Sequence, residues 1–361
     1  MTRARELAEL GSVYDSSALS NRNLIINGKM QVAQRGSVAA IQSGYGACDR
    51  FRLASNSAAR FDTSQSTEVP SGQGFANSLK LDCSTADTSL AAGDFYLINH
   101  KIEGQNLQQL LYGSSSAKQC TLSFWVKSPK TGIHNLEIES VDGGVFNIHQ
   151  YTISSANTWQ NVKITFDGYQ TTAIANDNTS GIVVNWWLLA GTTFSGGSYN
   201  TNTWSSTNAN RAVGQVNVAD STSNEFYLTG VQLEVGDTAT PFEHRSFGDE
   251  LIRCQRYFQK WLADTASDSV FTGAMISDTS FIGEYYFSNT MRATPSLSQS
   301  GTYKVRIKTN DRSTGSISIN RGTTDQVQLF SSLSTDNNEI GLACFIKAVS
   351  SGDFLEFDAE L

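Results

Sequence analysis

The stretch that decides the fold is EFYLTGVQLEVGDTATPFEHRSFGDELIRCQRYFQKW, from Glu225 to Trp261. Its first part, Glu225–Val235, alternates apolar and polar residues, which predicts a half-buried β-strand. The segment Gly236–Pro241 interrupts this alternation with turn-forming residues. Ser246, followed by Asp249, has the pattern of a helix N-terminus. The stretch therefore predicts the last strand of one β domain, a turn, and a short helix that leads into the rest of the chain.

The predicted linking helix spans residues 246–263 and carries one apolar stripe. Its members recur at spacings of three and four on an otherwise charged helix: Leu251, Cys254, Phe258 and Trp261. Such a stripe has to be buried against a partner surface. One arrangement consistent with the pattern packs the stripe on the preceding β domain of the same chain.

The composition favours β structure on both sides of this stretch. The chain has 361 residues, enough for two or three domains, with 39% hydrophobic and only 17% charged residues. Ser, Thr, Asn and Gly fill the intervals between short apolar runs, as in β-rich proteins with polar, uncharged surfaces. The net charge of −8 and the lack of a Lys/Arg cluster argue against nucleic acid and against an anionic membrane surface as partners.

Short strand-like runs recur from residue 21 to residue 245. The run Asn23–Val32 predicts strand, turn and strand around Asn27-Gly28. The repetition predicts a sandwich or jelly roll of two antiparallel sheets, with Trp125 and Trp159 in the core between them. The other predicted strands are Phe51–Leu53, Ser78–Leu81, Phe95–Ile98, Thr121–Val126, Asn135–Ser140, Phe146–Tyr151, Gln160–Phe166, Gly181–Ala190 and Phe226–Val235.

Residues 264–361 predict a second, smaller β domain. Thr309–Arg312 and Ser334–Asn338 have the composition of turns at the tips of this domain. Its predicted strands are Val270–Met275, Phe281–Phe287, Tyr303–Ile307, Ser316–Ile319, Gln326–Phe330, Gly341–Val349 and Phe354–Leu361.

Residues 1–20 predict a short helical peptide and a Ser-rich linker. Leu7 and Leu10 lie on one side of the helical part, Thr2–Leu10, and Gly11 is placed to end it. A helix this short is marginal in water without a partner. The segment is interpreted as a tether that docks on another protein, and the alternative is a frayed end without a role.

Three motifs resemble one protein family. They are NLIINGKMQVAQRG at Asn23–Gly36, DRFRL at Asp49–Leu53, and LEVGDTATPFEHRSFGDELIRCQRYFQK in the opening stretch. Together they resemble bacteriophage tail-fibre or capsid-fibre proteins, virion appendages whose central domain is similar to carbohydrate-binding jelly rolls. The resemblance covers about Asn23 to Trp261. It implies a homotrimer, with the helical stripe packed on the threefold axis, and a virion protein that receives the N-terminal peptide. It further implies host cell-surface polysaccharide as ligand, assembly in the host cytoplasm, and release by lysis.

The loop Thr192–Asn210 is the predicted ligand-binding segment. It carries no charge, and its large side chains are Phe194, Tyr199 and Trp204. Aromatic faces stack on sugar rings, while neutral amides and hydroxyls hydrogen-bond sugar hydroxyls, so these three residues are the candidate glycan contacts. The alternative is a solvated loop whose aromatic residues fold back onto the sheet.

The sequence carries no recognisable catalytic motif. A GxSxG elbow is absent, and the four histidines lack HExxH or other metal-ligand spacing. Glu137, Glu139 and Asp142 are close enough to suggest the carboxylate pair of a glycosidase, but a solvated strand face explains them equally well. We therefore expect no catalytic residues and no enzymatic activity.

A structural calcium ion, which related jelly rolls often hold, is also not predicted. The first motif continues as Lys29-Met30-Gln31 where an acidic residue is common, and the closing strand has Thr229-Gly230 where Asp is common. Glu225 and Glu234 remain as oxygen ligands, which are too few for a hard cation. The sequence thus predicts no metal and no cofactor.

The cysteines and the most apolar segment are consistent with a protein that folds in a reducing compartment. The five cysteines are odd in number and form no CxxC, which predicts free, mostly buried thiols. Gly181–Gly191 is too short to span a bilayer and reads as a core strand, so membrane insertion is not expected. The start of the chain has no signal-peptide pattern.

The sequence as a whole predicts an all-β protein: a jelly-roll β-sandwich, a short linking helix and a second small β domain, preceded by a short N-terminal helical anchor. The predicted function is host attachment through glycan binding by a phage fibre. The alternative is a structural decoration or assembly protein of the capsid or tail that binds no glycan.

Overall fold

The structure is a computed structural model, and it describes residues 21–333 and 340–361. The predicted anchor with Leu7 and Leu10 and the predicted turn at Ser334–Asn338 lie outside the described residues. The chain divides into two compact units, Met1–Glu250 and Leu251–Leu361. The predicted fold class, all-β with a jelly-roll-like sandwich, a short helix and a second β domain, is confirmed over the described part of the chain.

Alternating apolar runs form the strands of the N-terminal unit. Each strand predicted from Phe51 to Val235 is present, usually a few residues longer than predicted. The short helix α1 covers Thr192–Ser195, and α2 covers Phe247–Gln255. The strands are β1 (Val38–Ile41), β2 (Gly44–Tyr45), β3 (Arg52–Ser55), β4 (Arg60–Ser66), β5 (Ser78–Thr85), β6 (Phe95–Glu103), β7 (Cys120–Lys127), β8 (Gly132–Ser140), β9 (Val145–Ile153), β10 (Gln160–Phe166), β11 (Ser180–Ala190), β12 (Trp204–Ser205) and β13 (Glu225–Val235).

Two antiparallel sheets of these strands form the sandwich. Among the described strands, one sheet has the order β1-β4-β5-β13-β7-β10 and the other β12-β9-β8-β11-β6-β3-β2. The core between them takes every second residue of each strand, such as Phe124 and Val126 from β7 and Val184 and Trp186 from β11. The remaining residues of each strand therefore point to the outer faces, where binding surfaces can lie.

The predicted core position of Trp125 and Trp159 is wrong. Because Phe124 and Val126 point into the core, Trp125 between them points to the opposite face and is half-buried there. Trp159 precedes β10 and is half-buried beside Tyr227, with ring centroids 6.1 Å apart. The tryptophan that fills the core is Trp186.

The first and last sequence motifs of the sandwich are hydrogen-bonded to each other. The turn at Asn27-Gly28 is confirmed, but the strands predicted on either side of it are absent. Instead, Leu24 N donates to Leu233 O at 2.8 Å, and Val231 N donates to Gly28 O at 2.8 Å. The Asn23 side chain donates to Val231 O at 3.1 Å and accepts from Leu233 N at 3.1 Å. We call this pairing of residues 23–28 with β13 the terminal clasp.

The segment after β13 closes the clasp with charged groups. Glu243 accepts from Asn23 N at 2.9 Å, and the Arg245 guanidinium donates to Ile25 O at 3.0 Å. Asn27 N donates to Glu250 Oε1 at 2.6 Å. The motif residues at both ends of the sandwich thus hold its termini together.

The predicted linking helix at 246–263 is too long. Ser246 caps the helix as predicted, accepting from Asp249 N at 3.1 Å, but α2 ends at Gln255. Phe258 and Trp261 lie in strand β14 (Phe258–Leu262), which pairs with the last strand of the chain. Leu251 and Cys254 lie on the helix, Cys254 being buried and Leu251 half-buried. The four residues therefore do not form one helical stripe, because main-chain pairing replaces the last helical turns.

The C-terminal unit is a second β-sandwich. Its described strands form the sheets β14-β23-β17 and β19-β18-β22-β15-β16-β21-β20, around a core that includes Phe281, Leu329, Ile346 and Phe357. Trp261 packs at the edge of this core. The strands after β14 are β15 (Ser269–Ser277), β16 (Ser280–Tyr286), β17 (Ser296–Ser300), β18 (Tyr303–Ile307), β19 (Asn310–Ser313), β20 (Ser318–Gly322), β21 (Gln326–Ser332), β22 (Ala343–Ala348) and β23 (Phe354–Asp358).

The five cysteines are free and buried, as predicted. Burial raises the pKa of the Cys120 thiol to about 12 and that of Cys83 to about 11, so both thiols are protonated at neutral pH. In the described part of the chain, no helix has the length and apolarity needed to cross a membrane.

Candidate functional site

A row of polar side chains crosses the outer face of the seven-stranded sheet in the N-terminal unit. The pairing register places each member directly opposite the next, and directly paired residues point to the same face of a sheet. Their neighbours along the strands, such as Ile98 and Trp186, point into the core. We call this set the polar row: Tyr45 on β2, Arg52 on β3, Asn99 on β6, Asn185 on β11 and Glu137 on β8.

A loop from residue 192 to residue 215 covers the adjoining part of the same face. Phe194 packs on Trp187, with ring centroids 5.4 Å apart. Gln215 Oε1 accepts from Asn135 N at 2.8 Å, and Gln150 Nε2 donates to Val213 O at 2.7 Å. The loop is thereby fixed to β8, β9 and β11 along one side of the polar row.

Glu137 anchors this loop through a buried ion pair. Its side chain has no solvent exposure and accepts from Arg211 Nε at 2.8 Å, with a second ion-pair contact from Arg211 Nη2 to its other oxygen. Asn185 Nδ2 donates to Glu137 Oε1 at 2.8 Å, and Trp187 Nε1 donates to Glu137 Oε2 at 3.4 Å. Both carboxylate oxygens are therefore occupied by donors from the protein itself.

Arg211 and Glu139 form the more accessible part of this cluster. The Arg211 side chain is 17% exposed, and its guanidinium lies 4.6 Å from the Phe146 ring centroid. The Glu139 side chain is 34% exposed and lies 3.4 Å from Arg211. Burial, and next the charge of Glu137, raise the pKa of Glu139. Hydrogen-bonding groups and an aromatic ring therefore lie together at the Glu137 end of the row.

Asn99, in the middle of the row, has an unsatisfied hydrogen-bond acceptor. Only 5% of the residue is exposed, and no donor among the described residues reaches Asn99 Oδ1. Buried polar groups in folded proteins nearly always have hydrogen-bond partners. The neighbouring Asn185 differs, because its amide donates to Glu137. Asn99 is therefore the position of the row that can accept a hydrogen bond from a bound molecule.

The other end of the row combines cations with an aromatic ring. The Arg35 guanidinium lies 5.0 Å from the centroid of the half-buried Tyr45 ring. Arg52, directly opposite Tyr45, donates to Ser43 Oγ at 3.2 Å. Four interstrand steps of about 4.8 Å separate Tyr45 from Glu137, so the row extends about 19 Å across the sheet.

The three predicted loop aromatics do not share one surface. Phe194 packs on Trp187 and Phe95 and is half-buried. Trp204 lies in β12, donates from Nε1 to Asp167 O at 2.9 Å, and packs on Tyr112 and on the core. Tyr199 is exposed, and its hydroxyl accepts from Gln150 N at 3.1 Å. Two of these residues thus fold back onto the sandwich, as the alternative interpretation described, and Tyr199 alone presents its ring to solvent.

Sequence reasoning missed the polar row. Asn99 and Asn185 interrupt two otherwise apolar strands, which was a usable signal, because a polar residue in the middle of such a strand marks the outer face or a buried hydrogen bond. Arg52, Asn99, Asn185 and Glu137 come from distant parts of the chain, so the pairing register is needed to bring them together.

The residues considered for calcium do not fit such a site. Glu225 pairs with Lys80 at 2.7 Å and accepts from Tyr227 Oη at 2.9 Å. Glu234 accepts from Thr240 Oγ1 at 2.7 Å and from Gln232 Nε2 at 3.0 Å. Both carboxylates are thus engaged by protein donors, and the described residues contain no group of three or more metal-ligating side chains.

Comparisons with known proteins give structural likenesses only. No protein family matches the chain, and no curated protein sequence matches it. The enzymatically active domain of tailspike protein 4 of bacteriophage CBA120 is 11% identical, with a TM-score of 0.31 over 59% of this chain and 21% of that chain. This chain thus covers about a fifth of the tailspike chain.

Two carbohydrate-binding modules show likenesses of the same order. TmCBM61 in complex with β-1,4-galactotriose is 10% identical, with a TM-score of 0.31 over 60% of this chain and 99% of that chain. The family 11 carbohydrate-binding module of a cellulosomal cellulase of Clostridium thermocellum is 13% identical, with a TM-score of 0.28 over 58% and 98% of the two chains.

Proposed function

We propose that the N-terminal sandwich binds carbohydrate at the polar row, and that the chain is a phage virion fibre protein that attaches to host cell-surface polysaccharide. The observation that carries the binding proposal is Asn99 Oδ1, a buried acceptor in the middle of an outer face that no donor among residues 21–333 and 340–361 reaches. A hydroxyl group of a bound sugar would supply the missing donor.

The groups around Asn99 suit a polyhydroxylated ligand. Sugar hydroxyls both donate and accept hydrogen bonds, and the row offers the Asn99 amide and the Arg52 guanidinium. The half-buried Tyr45 ring supplies an aromatic surface for the apolar face of a sugar ring. This mixture of polar groups and one aromatic ring is typical of a site that fixes orientation through several hydrogen bonds.

We propose binding without cleavage. A glycosidase uses one carboxyl group as acid and another as base or nucleophile. Glu137 is buried and held by Arg211, Asn185 and Trp187, which leaves it without access to a glycosidic bond. Asp142 accepts from Ala175 N at 3.0 Å. With Glu137 engaged in this way, the pair Glu137 and Glu139 is not available for acid–base chemistry, which favours a binding role.

The virion role rests on the three sequence motifs. In this proposal, the N-terminal peptide with Leu7 and Leu10 docks on another virion protein, the chain forms a homotrimer, and the protein is part of the virion after assembly in the host cytoplasm and lysis. The terminal clasp supports the proposal in one respect. The first and last motifs are hydrogen-bonded to each other there and together close the sandwich. The helical stripe no longer supports the trimer, since Phe258 and Trp261 lie in a strand.

A glycan array probed with the full-length protein tests the binding proposal, with Asn99→Ala as the site variant and Tyr199→Ala as the matched surface variant. Because the Asn99 side chain makes no hydrogen bond within the described protein, its removal should leave the melting temperature unchanged. We expect Asn99→Ala to weaken binding at least tenfold and Tyr199→Ala to leave it unchanged.

If Tyr199→Ala weakened binding and Asn99→Ala did not, the binding site would lie in the loop Thr192–Asn210, as predicted from the sequence. The absence of binding to any glycan would reject the proposal and favour the alternative, a decoration or assembly protein of the capsid or tail.

A further inference from the structure

We propose that the polysaccharide bound at the polar row is acidic, and that Arg52 binds the carboxylate of one of its sugar units. This inference rests on the proposed carbohydrate binding and adds the chemical class of the ligand. It comes from the charges on the outer face, because the acidic groups at the Glu137 end are paired and Arg52 has no carboxylate partner among the described residues.

Arg52 lies where a ligand at Asn99 would contact it. Strand β3 pairs with β6 so that Arg52 and Asn99 are direct cross-strand neighbours, and their side chains share the outer face. Paired residues of this kind have Cβ atoms about 5 Å apart. A sugar unit whose hydroxyl donates to Asn99 Oδ1 therefore has its substituents within reach of the guanidinium.

The Arg52 guanidinium has no carboxylate partner in the described part of the chain. Its one hydrogen bond there is to Ser43 Oγ at 3.2 Å, a neutral acceptor on the neighbouring turn. Several other half-buried or buried cations of the N-terminal unit form ion pairs, for example Lys80 with Glu225 at 2.7 Å, Lys127 with Glu68, and Lys130 with Asp220. Arg52 differs from these cations in lying on the outer face beside an unsatisfied acceptor.

The acidic groups of the same face are already used. Glu137 is fully engaged by Arg211, Asn185 and Trp187, and Glu139 also lies at 3.4 Å from Arg211. At the other end of the row, the Arg35 guanidinium lies 5.0 Å from the Tyr45 ring centroid. The acidic groups at the Glu137 end are therefore paired with Arg211, whereas Arg52 has no carboxylate partner among the described residues.

A carboxylate is the ligand group that the Arg52 guanidinium favours. Arginine presents a planar set of donors that matches a carboxylate in a two-point contact, and a charge-assisted hydrogen bond is about twice as strong as a neutral one. The net charge of the chain, −8, does not attract an acidic polymer over long distances. We therefore expect short-range contacts to produce the preference for an acidic over a neutral polysaccharide, and the acidic complex to dissociate more slowly.

The experiment compares acidic polysaccharides with their neutral counterparts. Polygalacturonate, alginate and hyaluronate would each be immobilised beside the same polymer after reduction of its carboxyl groups to alcohols. The full-length protein, Arg52→Gln and Arg52→Lys would be measured by biolayer interferometry, with thermal melting as the control for folding. Arg52→Gln removes one hydrogen bond to Ser43, so we expect its melting temperature to change little.

We expect at least one acidic polymer to bind at least tenfold more tightly than its reduced form, and Arg52→Gln to abolish that preference while retaining weak binding to both. Arg52→Lys should keep part of the preference, because it keeps the charge and loses the two-point geometry.

Equal binding of the acidic and reduced polymers would overturn the inference and leave the proposed function standing. A preference that survives in Arg52→Gln would also overturn it, because another group would then bind the carboxylate. No binding to any of these polymers, together with a blank glycan array, would reject the inference and the proposed function alike.

Discussion

The buried ion pair between Glu137 and Arg211 allows a quantitative test of how the outer face is built. We consider the substitution Glu137→Gln, which preserves the shape of the side chain. The carboxylate accepts from Arg211, Asn185 and Trp187. A glutamine retains one acceptor oxygen and presents an amino group to the remaining donors. Removing one member of a buried pair usually costs about 3–5 kcal/mol, and the 17% exposure of Arg211 lets its guanidinium regain some hydration. We therefore expect a loss of about 3 kcal/mol.

Urea unfolding followed by tryptophan fluorescence measures this loss. Of the six tryptophans, all except Trp261 lie at or before residue 204, so the signal reports mainly on the N-terminal unit. With a slope of about 3 kcal/mol per molar urea, the midpoint should fall by about 1 M. Glu139→Gln is the matched control, because Glu139 is 34% exposed and should contribute under about 1 kcal/mol. If Glu137→Gln and Glu139→Gln lower the midpoint equally, the buried pair does not hold the loop as described.

Three further outcomes follow from the structure. Burial lowers the pKa of His134 from 6.5 to about 4, so as the pH falls the unfolded chain binds a proton at this residue before the folded chain does. The contribution of His134 to stability should therefore be full above pH 6.5 and fall by about 2 kcal/mol between pH 7 and pH 5. In urea titrations at both pH values, the unsubstituted protein should lose about this much more stability than His134→Gln. Gly28→Ala should lower the melting temperature sharply, because its Cβ would lie 2.0 Å from Val231 O, whereas Gly93→Ala, with no atom within 4 Å of the new Cβ, should not. None of the five buried cysteines should react with a neutral thiol reagent until urea unfolds the protein, and rapid labelling of the native chain would contradict their burial.

The strand pattern was predictable because each strand carries its own alternation. The runs that became β10 and β13 have clear apolar–polar periodicity, and the structure places strands there with nearly the predicted bounds. The turn at Asn27-Gly28 was also local and was found. These features depend on residues close in sequence, so a single chain is enough to identify them.

The errors arose where tertiary contacts overrule a local pattern. Leu251, Cys254, Phe258 and Trp261 have helical spacing, yet the helix ends at Gln255 because the following residues pair with β23. Trp125 was assigned to the core by size, whereas the alternation of its strand decides its face. Neither the distant pairing partner nor the face of a strand can be read from local composition.

The candidate site was the least predictable part. The loop aromatics Phe194 and Trp204 looked like contact residues because tryptophan and phenylalanine in a polar loop stand out, but both find partners on the sandwich. The polar row depends on the register of distant strands, and its members Asn99 and Asn185 appear in sequence as single polar residues in apolar runs. Site residues that are contributed one per strand leave no local motif.

The most direct test of the account is to map a bound glycan on the protein by amide chemical shifts. A ligand identified on the array would be titrated into isotope-labelled full-length protein. We predict that the largest shifts fall on Arg52, Asn99 and Asn185 and are absent in Asn99→Ala. Shifts concentrated at Tyr199, or confined to residues of the C-terminal unit, would contradict a binding site at the polar row.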